Sequence, residues 1–340
     1  MAAACLALAA FLVFHTEDPI RLALPMNNTA PPASKFQDAI WPASAGWPAA
    51  PYLAVKYGAK HGLLKNVRSA HRNAGKGAVS SLFTGANDVA YAFAPPIVEA
   101  ASRHRDLLVL AVVMRSKGQV RMFVRAENRQ DWYAKRMAVK FGTITDSLVY
   151  AQLRHMGKLD VLKNGTLTLV DIDFPENLFF ALVNGEVEGA SFPGAYAELL
   201  THQQQSKPKP EFVDAAAPDV YPTATFLVSR AGIYAAHTEG IIDVLRVFRE
   251  YGKYVAAHPV TELMQMHKLE AAGIPPSQDA PSDLIWGPND FLILTDKDEI
   301  RKLLVFEAQL RIDGGAMKSM PDFEPALSRL DDITHRLELR

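Results

Sequence analysis

The chain is 340 residues long; 49% of the residues are hydrophobic and 21% are charged, with 36 Lys and Arg against 37 Asp and Glu. This length and apolar fraction are enough for about two domains, each with its own core. A formal net charge of −1, without long runs of one sign, argues against nucleic-acid binding, because contact with a phosphate backbone needs a concentrated basic surface. The single cysteine, Cys5, excludes an intramolecular disulfide and a cysteine-cluster metal site.

The N-terminus begins with one uncharged apolar block, residues 1–14, which ends before the polar His15. A membrane-spanning helix needs about 20 apolar residues, so this block is too short to cross a bilayer. Its length is that of the apolar region of a signal peptide, although the basic segment that usually precedes such a region is missing. We therefore expect a signal peptide whose start lies upstream, with an uncleaved anchor or a buried terminal helix as the alternatives.

Short apolar runs then alternate with amphipathic stretches, which is the pattern of α/β proteins. Two segments are candidates for the first strand, Ile20–Leu24 and Phe36–Trp41, and the sequence does not decide between them. The run Leu107–Met114 is apolar throughout and predicts a strand that is buried on both faces. Val120–Arg125 alternates between apolar and polar residues, and so predicts a strand with one solvated face. Further strands are predicted at Met137–Phe141, Leu167–Ile172, Val187–Phe192 and Thr223–Ser229.

Helices are predicted where apolar residues recur with helical spacing and a glycine follows at the C-terminal end. The clearest strand–turn–helix unit runs from Met137 to Met156, with a turn at residues 142–147 that is rich in helix-capping residues. The predicted helices are Ala49–Tyr57, Ala78–Phe83, Leu148–Met156, Asn177–Val183, Gly240–Tyr254, Pro259–Ala272 and Lys297–Ile312.

Two segments a hundred residues apart have the same layout, Leu82–Ala90 and Leu182–Ala190. In each, a predicted helix ends at a glycine, an acidic residue follows three positions later, and a short apolar strand runs on to a proline. One such match would carry little weight, but two in segments with the same predicted elements indicate two lobes of similar construction.

Four segments resemble, in order and spacing, the substrate-binding proteins of ABC importers for nitrate, taurine and aliphatic sulfonates, a family that also includes binders of thiamine-precursor pyrimidines. The resemblance covers roughly residues 36–320, and each segment is a weak match when taken alone. One position departs from the family pattern, since Glu188 stands where Asp is usual. The four segments are Leu53–Leu63, Ser81–Ala90, Met137–Ser147 with the helix that follows, and Ala181–Ala190.

The resemblance implies an α/β, two-lobed periplasmic-binding-protein-like fold of type II, with two mixed sheets flanked by helices and joined by a two-segment hinge. Lobe one would take residues 20–115 and 225–340, and lobe two residues 116–224. The hinge would lie near residues 114–120 and 220–225. Closure of such a hinge around a ligand would be the working motion of the protein.

Binding residues are expected where strands end and helices begin, because ligands of open α/β sheets lie beyond the carboxyl ends of the strands. Unpaired N–H groups at a helix start also favour an anion. A structural role competes at several positions: Thr143 or Thr145 as a helix cap, Trp47 as a packing residue, and Arg115 as a surface charge. Asp146 would itself repel an anion. The candidates are Ser44, Trp47, Phe93, Arg115, Thr143, Thr145, Ser191 and Phe192.

The residues leave the ligand class open. A sulfonate, nitrate or taurine would use the hydroxyls of Thr143, Thr145, Ser147 and Ser191 together with Arg115. An aromatic or pyrimidine ligand would stack on planar side chains, for which the candidates are Trp41, Trp47, Phe93, Phe192 and Tyr221.

The sequence therefore predicts an extracytoplasmic solute-binding protein that captures a small anionic solute and passes it to an ABC permease in the membrane. We expect a monomer that is not an enzyme and holds no metal or cofactor. A sensor or auxiliary domain on the same fold, tethered by residues 1–14, is one alternative. Another is a pyrimidine synthase, which the single Cys5 disfavours because relatives of that kind look to carry a cysteine-rich iron-binding motif.

Overall fold

The computed structural model of the chain describes residues 20–25, 54–55, 57–64, 67–72, 74–116, 120–173, 175–193, 200, 211–258 and 289–339. The apolar block at residues 1–14, the candidate strand Phe36–Trp41 and the predicted helix Pro259–Ala272 lie outside the described residues, as does most of the predicted helix Ala49–Tyr57. The other candidate for the first strand, Ile20–Leu24, is confirmed as part of a strand.

The first sheet is mixed, and its strands follow the order β11-β4-β10-β3-β1-β2. They are β1 (Ile20–Pro25), β2 (Val67–Arg72), β3 (Val89–Phe93), β4 (Leu107–Ser116), β10 (Thr223–Arg230) and β11 (Asn289–Leu294). β1 pairs in parallel with β2 and β3, whereas β10 lies antiparallel between β3 and β4. β3 and β4 therefore run in the same direction, and their C-terminal ends lie at the same edge of the sheet.

The second sheet is also mixed and follows the order β7-β6-β8-β5-β9. Its strands are β5 (Val120–Arg125), β6 (Arg136–Val139), β7 (Thr168–Asp171), β8 (Gly189–Pro193) and β9 (Phe212–Asp214). β6 pairs in parallel with β7 and β8, and β5 lies antiparallel between β8 and β9. The chain enters this sheet after Ser116 and returns to the first sheet at Thr223, so two segments cross between the sheets.

Helices flank both sheets. They are α1 (Ala74–Phe83), α2 (Ala94–Ala101), α3 (Ile144–His155), α4 (Asp160–Lys163), α5 (Pro175–Val183), α6 (Ala231–Ala236), α7 (Thr238–Ala257), α8 (Lys297–Asp313), α9 (Glu324–Leu327) and α10 (Leu330–Glu338). We call the first sheet with α1, α2, α6, α7, α9 and α10 lobe one, and the second sheet with α3, α4 and α5 lobe two. Within the described chain, no helix has both the length and the apolar character needed to cross a membrane.

Strand β4 shows why the run Leu107–Met114 is apolar without interruption. Leu108 and Leu110 pack into one apolar cluster with residues of α7, whereas Leu107 and Val109 pack into a second cluster with residues of α2 and α8. Because helices cover both faces of the sheet here, neither face of the strand can carry polar side chains. The prediction of a strand buried on both faces is confirmed.

The repeated layout seen in the sequence corresponds to equivalent units in the two lobes. Gly85 lies two residues beyond the end of α1 and Gly185 two residues beyond the end of α5, with φ of 72° and 79°, values that favour glycine. β3 and β8 follow, and each pairs in parallel with one of its two neighbours, β3 with β1 and β8 with β6. The acidic residue of each unit accepts a backbone N–H from that strand: Asp88 from Arg21 at 2.7 Å and Glu188 from Arg136 at 3.1 Å.

Candidate functional site

The start of helix α3 is tied down by its own turn. Thr143 is the N-cap, and its hydroxyl accepts the N–H of Thr145 at 3.2 Å. The Asp146 carboxylate accepts the N–H groups of Gly142 and Thr143 at 2.9 and 3.1 Å, which completes a capping box. The hydroxyl of Thr143 also donates to the carbonyl of Lys140 at 2.8 Å. The Thr143 hydroxyl and the N–H groups of Gly142, Thr143 and Thr145 are thus engaged by atoms of the turn.

Helix α8 packs against both lobes. Ile300, Leu304 and Ala308 belong to the apolar cluster that covers one face of the first sheet, whereas Leu310 belongs to the cluster of lobe two. At the end of α8, a Cβ atom on Gly314 would lie 2.9 Å from the ring of Tyr150 in α3, so the two helices approach closely there. The second half of α8 is therefore part of the boundary between the lobes.

Glu307 of α8 is buried at this boundary, with 1% of its surface exposed. The Ser147 hydroxyl in the first turn of α3 donates to one of its carboxylate oxygens at 2.6 Å, and the Tyr221 hydroxyl donates to the other at 2.7 Å. Tyr221 lies in the second segment that crosses between the sheets. One carboxylate thus joins α8, lobe two and a crossing segment.

Arg311, one turn further along α8, is the cation of this buried group. Its Nε lies 3.3 Å from a Glu307 oxygen and its Nη1 lies 3.6 Å from an Asp146 oxygen. Burial raises the pKa of Glu307 and of Asp146, and the Arg311 guanidinium offsets part of each rise. Burial followed by the nearby charge of Glu307 also raises the pKa of Tyr221 well above its ordinary value. We call Asp146, Ser147, Tyr221, Glu307 and Arg311 the boundary cluster.

A groove of about 480 Å³ lies beside the boundary cluster. Lobe one contributes side chains from α1 and α2, lobe two contributes the start of α3, and the last part of the wall comes from the end of α8 and the loop that follows. Asp146 and Arg311 belong to both the groove and the cluster. The groove is thus a concave site to which both lobes contribute.

Three solved structures resemble this chain over most of its length. The alkanesulfonate-binding protein SsuA from Xanthomonas axonopodis pv. citri, bound to MOPS, is 15% identical with a TM-score of 0.61, covering 92% of this chain and 99% of that one. The periplasmic aliphatic sulphonate binding protein SsuA from Escherichia coli is 14% identical with a TM-score of 0.62, covering 92% of each chain. The Candida albicans CA3427 gene product is described as having the generic periplasmic binding protein structural fold. It is 12% identical with a TM-score of 0.58, covering 92% of this chain and 94% of that one.

The chain has the two-lobed periplasmic-binding-protein fold. The similarity in three dimensions and the two mixed sheets, each flanked by helices, agree on this point. Neither a family model nor a curated protein matches the sequence. The fold predicted from the four weak segments is thus confirmed by structure, at a level of identity that shows the fold alone.

Within this periplasmic-binding-protein fold, the predicted site residues fall in different surroundings. Phe93 is the N-cap of α2 and is buried in the apolar cluster that includes Ile144 and Leu148 of α3. The ring of Phe192 stacks on Phe123 in the core of lobe two and has no exposed surface, so contact with a solute would require that core to open.

The remaining predicted residues differ in what they contact. Arg115, near the end of β4, forms an exposed ion pair with Glu299 at 2.8 Å. The Ser191 hydroxyl is buried and has no hydrogen-bond partner among the described residues. The Thr145 hydroxyl is bonded to Lys140 of its own turn. Ser44 and Trp47 lie outside the described residues.

Sequence reasoning missed Glu307 and Arg311, although a signal was present. The buried positions of α8 include Ile300, Leu304, Glu307, Ala308 and Arg311, whose spacing is that of one helix face. Two ionisable residues of opposite sign on an apolar face indicate that this face meets a polar partner. In the described part of the chain, no group of three or more residues could hold a metal ion.

Proposed function

We propose that this chain is the extracytoplasmic solute-binding protein of an ABC importer, and that it holds a small solute between its two lobes. Its partners are then the solute and a membrane permease, and its role is binding rather than catalysis. We further propose that the two predicted lobes move relative to each other on the two crossing segments. Lobe one takes residues 20–115 and 225–340, and lobe two takes residues 116–224.

The observation that carries the proposal is the way the two sheets meet. β3 of lobe one leads into α2 and β6 of lobe two leads toward α3, and these two helices are in contact. In α/β folds the crevice beyond the carboxyl ends of the strands is where ligands bind. Two crossing segments between the sheets give such lobes a hinge, and hinge closure is a known way to enclose a ligand.

For the solute itself, we propose a small anion of the sulfonate, nitrate or taurine kind. Two of the similar structures are proteins that bind alkanesulfonates or aliphatic sulphonates according to their names, which supports this choice. Arg115, next to a crossing segment, supplies a positive charge, and Ser191 supplies a buried hydroxyl without a partner in the described chain. An aromatic solute stacked on Phe93 is the second candidate, because that side chain lies at the start of α2 where the lobes meet.

The test is a thermal-shift screen of the full chain against nitrate, taurine, alkyl and aryl sulfonates, aryl carboxylates and pyrimidines, followed by calorimetry on each solute that raises the melting temperature. A solute that binds only the folded state raises that temperature by mass action. We expect one chemical class to bind with one solute per chain. Arg115→Ala should weaken binding of an anion while Arg230→Ala, which removes an ion pair elsewhere on lobe one, should not. No shift with any class would contradict the proposal.

A further inference from the structure

We propose that the boundary cluster is a latch that holds the two lobes in their present arrangement, and that this latch loosens when Glu307 loses its proton. The inference rests on the proposed movement of the lobes on the two crossing segments. It adds to that movement a dependence on pH, because one buried carboxyl group connects α8 to two separate parts of lobe two.

The position of Glu307 along α8 makes it part of the hold between the lobes. Earlier in the helix, Ile300 and Leu304 pack into the apolar cluster of lobe one. Glu307 then accepts the Ser147 hydroxyl of α3 at 2.6 Å and the Tyr221 hydroxyl of the second crossing segment at 2.7 Å. Because α8 is anchored in lobe one, a rotation of lobe two on the crossing segments breaks both hydrogen bonds.

A second polar contact between α3 and α8 lies nearer to the surface. Arg154 and Asp313 form an ion pair at 3.6 Å, and 46% of the Arg154 side chain is exposed. Exposed ion pairs contribute little to stability, because water and salt compete for both charges. The buried hydrogen bonds of Glu307 are short and exclude water, so they are the stronger polar contacts.

The hydrogen bonds of Ser147 favour a protonated Glu307. The Ser147 hydroxyl has a single hydrogen but two acceptors within reach, a Glu307 carboxylate oxygen at 2.6 Å and the carbonyl of Thr143 at 3.1 Å. When Glu307 is ionised, that hydrogen serves only one acceptor well. When Glu307 carries a proton, its O–H donates to the Ser147 oxygen and the Ser147 hydroxyl donates to Thr143. The proton thus completes a chain of hydrogen bonds across the boundary.

The charges around Glu307 favour the same state. Among the described residues, the titratable groups that face it are Arg311 on its own helix, Asp146 and Tyr150 of α3, and Tyr221. Asp146 accepts two backbone N–H groups, which favour its ionised form. If Glu307 is ionised as well, two buried negative charges share one guanidinium, and the second charge is costly without water.

The sign of the pH effect follows from burial. In the packed arrangement, burial raises the pKa of Glu307, and the Arg311 guanidinium offsets part of the rise. Exposure to water on opening returns this pKa toward its ordinary value. Opening therefore releases a proton, so a pH that rises through the raised pKa favours the open arrangement. The latch holds at low pH and loosens at higher pH.

The test is a distance measurement between two spin labels by pulsed electron paramagnetic resonance, on the full chain without solute. The labels are attached through Arg105→Cys in lobe one and Lys163→Cys in lobe two, both exposed positions, and Cys5→Ser removes the native thiol. Between about pH 5 and about pH 8, we expect a second distance to gain population at least about threefold, as release of a proton on opening requires.

Two variants separate the latch from a general effect of pH. Glu307→Gln does not ionise, and its amide N–H can donate to Ser147, so it should keep the packed distance at both pH values. Glu338→Gln, at an exposed carboxylate of α10, should behave as the wild type. If Glu307→Gln does not fold, Tyr221→Phe decides. It removes the hydroxyl that joins the crossing segment to Glu307, so the second distance should already be at least about threefold more populated at low pH.

The latch would be overturned by a wild-type distance distribution that is the same at both pH values, or by a second distance that loses population as the pH rises. Glu307→Gln that follows the wild type, or Tyr221→Phe with the wild-type population at low pH, would also overturn it. Because no solute is present, a failed latch leaves the solute screen as the test of the importer function. A failed screen likewise leaves the measured pH dependence intact.

Discussion

Glu307 is held by two hydroxyls and one guanidinium in a place where water cannot solvate its charge. Burial raises the pKa of this carboxyl in the folded state, so that the folded protein binds its proton more tightly than the unfolded chain does. The contribution of the group to stability is then fully present below the unfolded pKa, and it is lost as the pH rises through the raised folded pKa.

Glu307→Gln keeps the shape of the side chain and removes this titration. We expect the free energy of unfolding of wild type, measured by urea denaturation, to fall relative to that of Glu307→Gln as the pH is raised from about 5 to about 8. Glu338→Gln, which removes an exposed carboxylate from α10, is the charge-matched control. A difference between wild type and Glu307→Gln that stays constant with pH would show that the raised pKa is wrong.

A substitution at Thr143 distinguishes between two roles that the sequence allows for this residue, a helix cap and a contact to the solute. Its hydroxyl accepts one N–H of α3 and donates to the carbonyl of Lys140, so Thr143→Ala should cost about 1 kcal/mol in the free energy of unfolding. A cap role alone leaves the affinity for the solute unchanged in calorimetry. Thr166→Ala, at an exposed threonine, is the control for stability. Unchanged stability in Thr143→Ala would contradict the cap.

At the scale of elements, α8 packs against both lobes and approaches α3 closely at its C-terminal end. A substitution at Gly314, which lies at that end, tests the contact between α8 and α3. The backbone of Gly314 has φ of −77°, which alanine also adopts, but the added Cβ would lie 2.9 Å from the Tyr150 ring. Gly314→Ala should therefore displace α8 from α3 and lower the free energy of unfolding by about 1–3 kcal/mol.

Gly232→Ala is the matched control, because a Cβ on Gly232 in α6 meets no atom within 4 Å. It should leave stability unchanged or raise it slightly, by about 0.4–1 kcal/mol. Both variants are compared by urea denaturation. If Gly314→Ala is as stable as Gly232→Ala, the close approach of α8 to α3 is wrong.

The sequence predicted the elements whose apolar residues follow a regular pattern. β4 is apolar because helices cover both its faces, and α8 was predicted at Lys297–Ile312 and found at Lys297–Asp313. β2 was missed, since its residues Val67–Arg72 are mostly polar and give no apolar pattern. α2 was missed because Pro95 and Pro96 suggest an interruption, whereas proline in the first turn of a helix has no N–H bond to lose.

The candidate site was predicted less well than the fold, for a physical reason. The rule that ligands bind at helix starts identified α3, but it does not reveal which internal groups already occupy the donors of that turn. Asp146 follows Thr143 by three residues and is readable as a capping residue, whereas Glu307 lies 160 positions from Ser147. Only the three-dimensional structure brings α8 to the start of α3.

At the scale of the whole molecule, the two sheets are joined by the segment after Ser116 and the segment before Thr223, and α8 packs against both lobes. If the lobes close on a solute, they move on these crossing segments. The contacts of the boundary cluster then either break or move together with lobe two. Solute binding and the contacts of Glu307 are then linked, because a ligand shifts a conformational equilibrium by its difference in affinity for the two states.

The most direct test of solute binding between two hinged lobes is small-angle X-ray scattering of the full chain, recorded with and without the solute that the thermal-shift screen identifies. The account predicts that the radius of gyration decreases on addition of the solute and reaches its final value at the concentration where calorimetry shows saturation. A radius of gyration that is the same in the free and the saturated protein would contradict closure of the lobes around the solute.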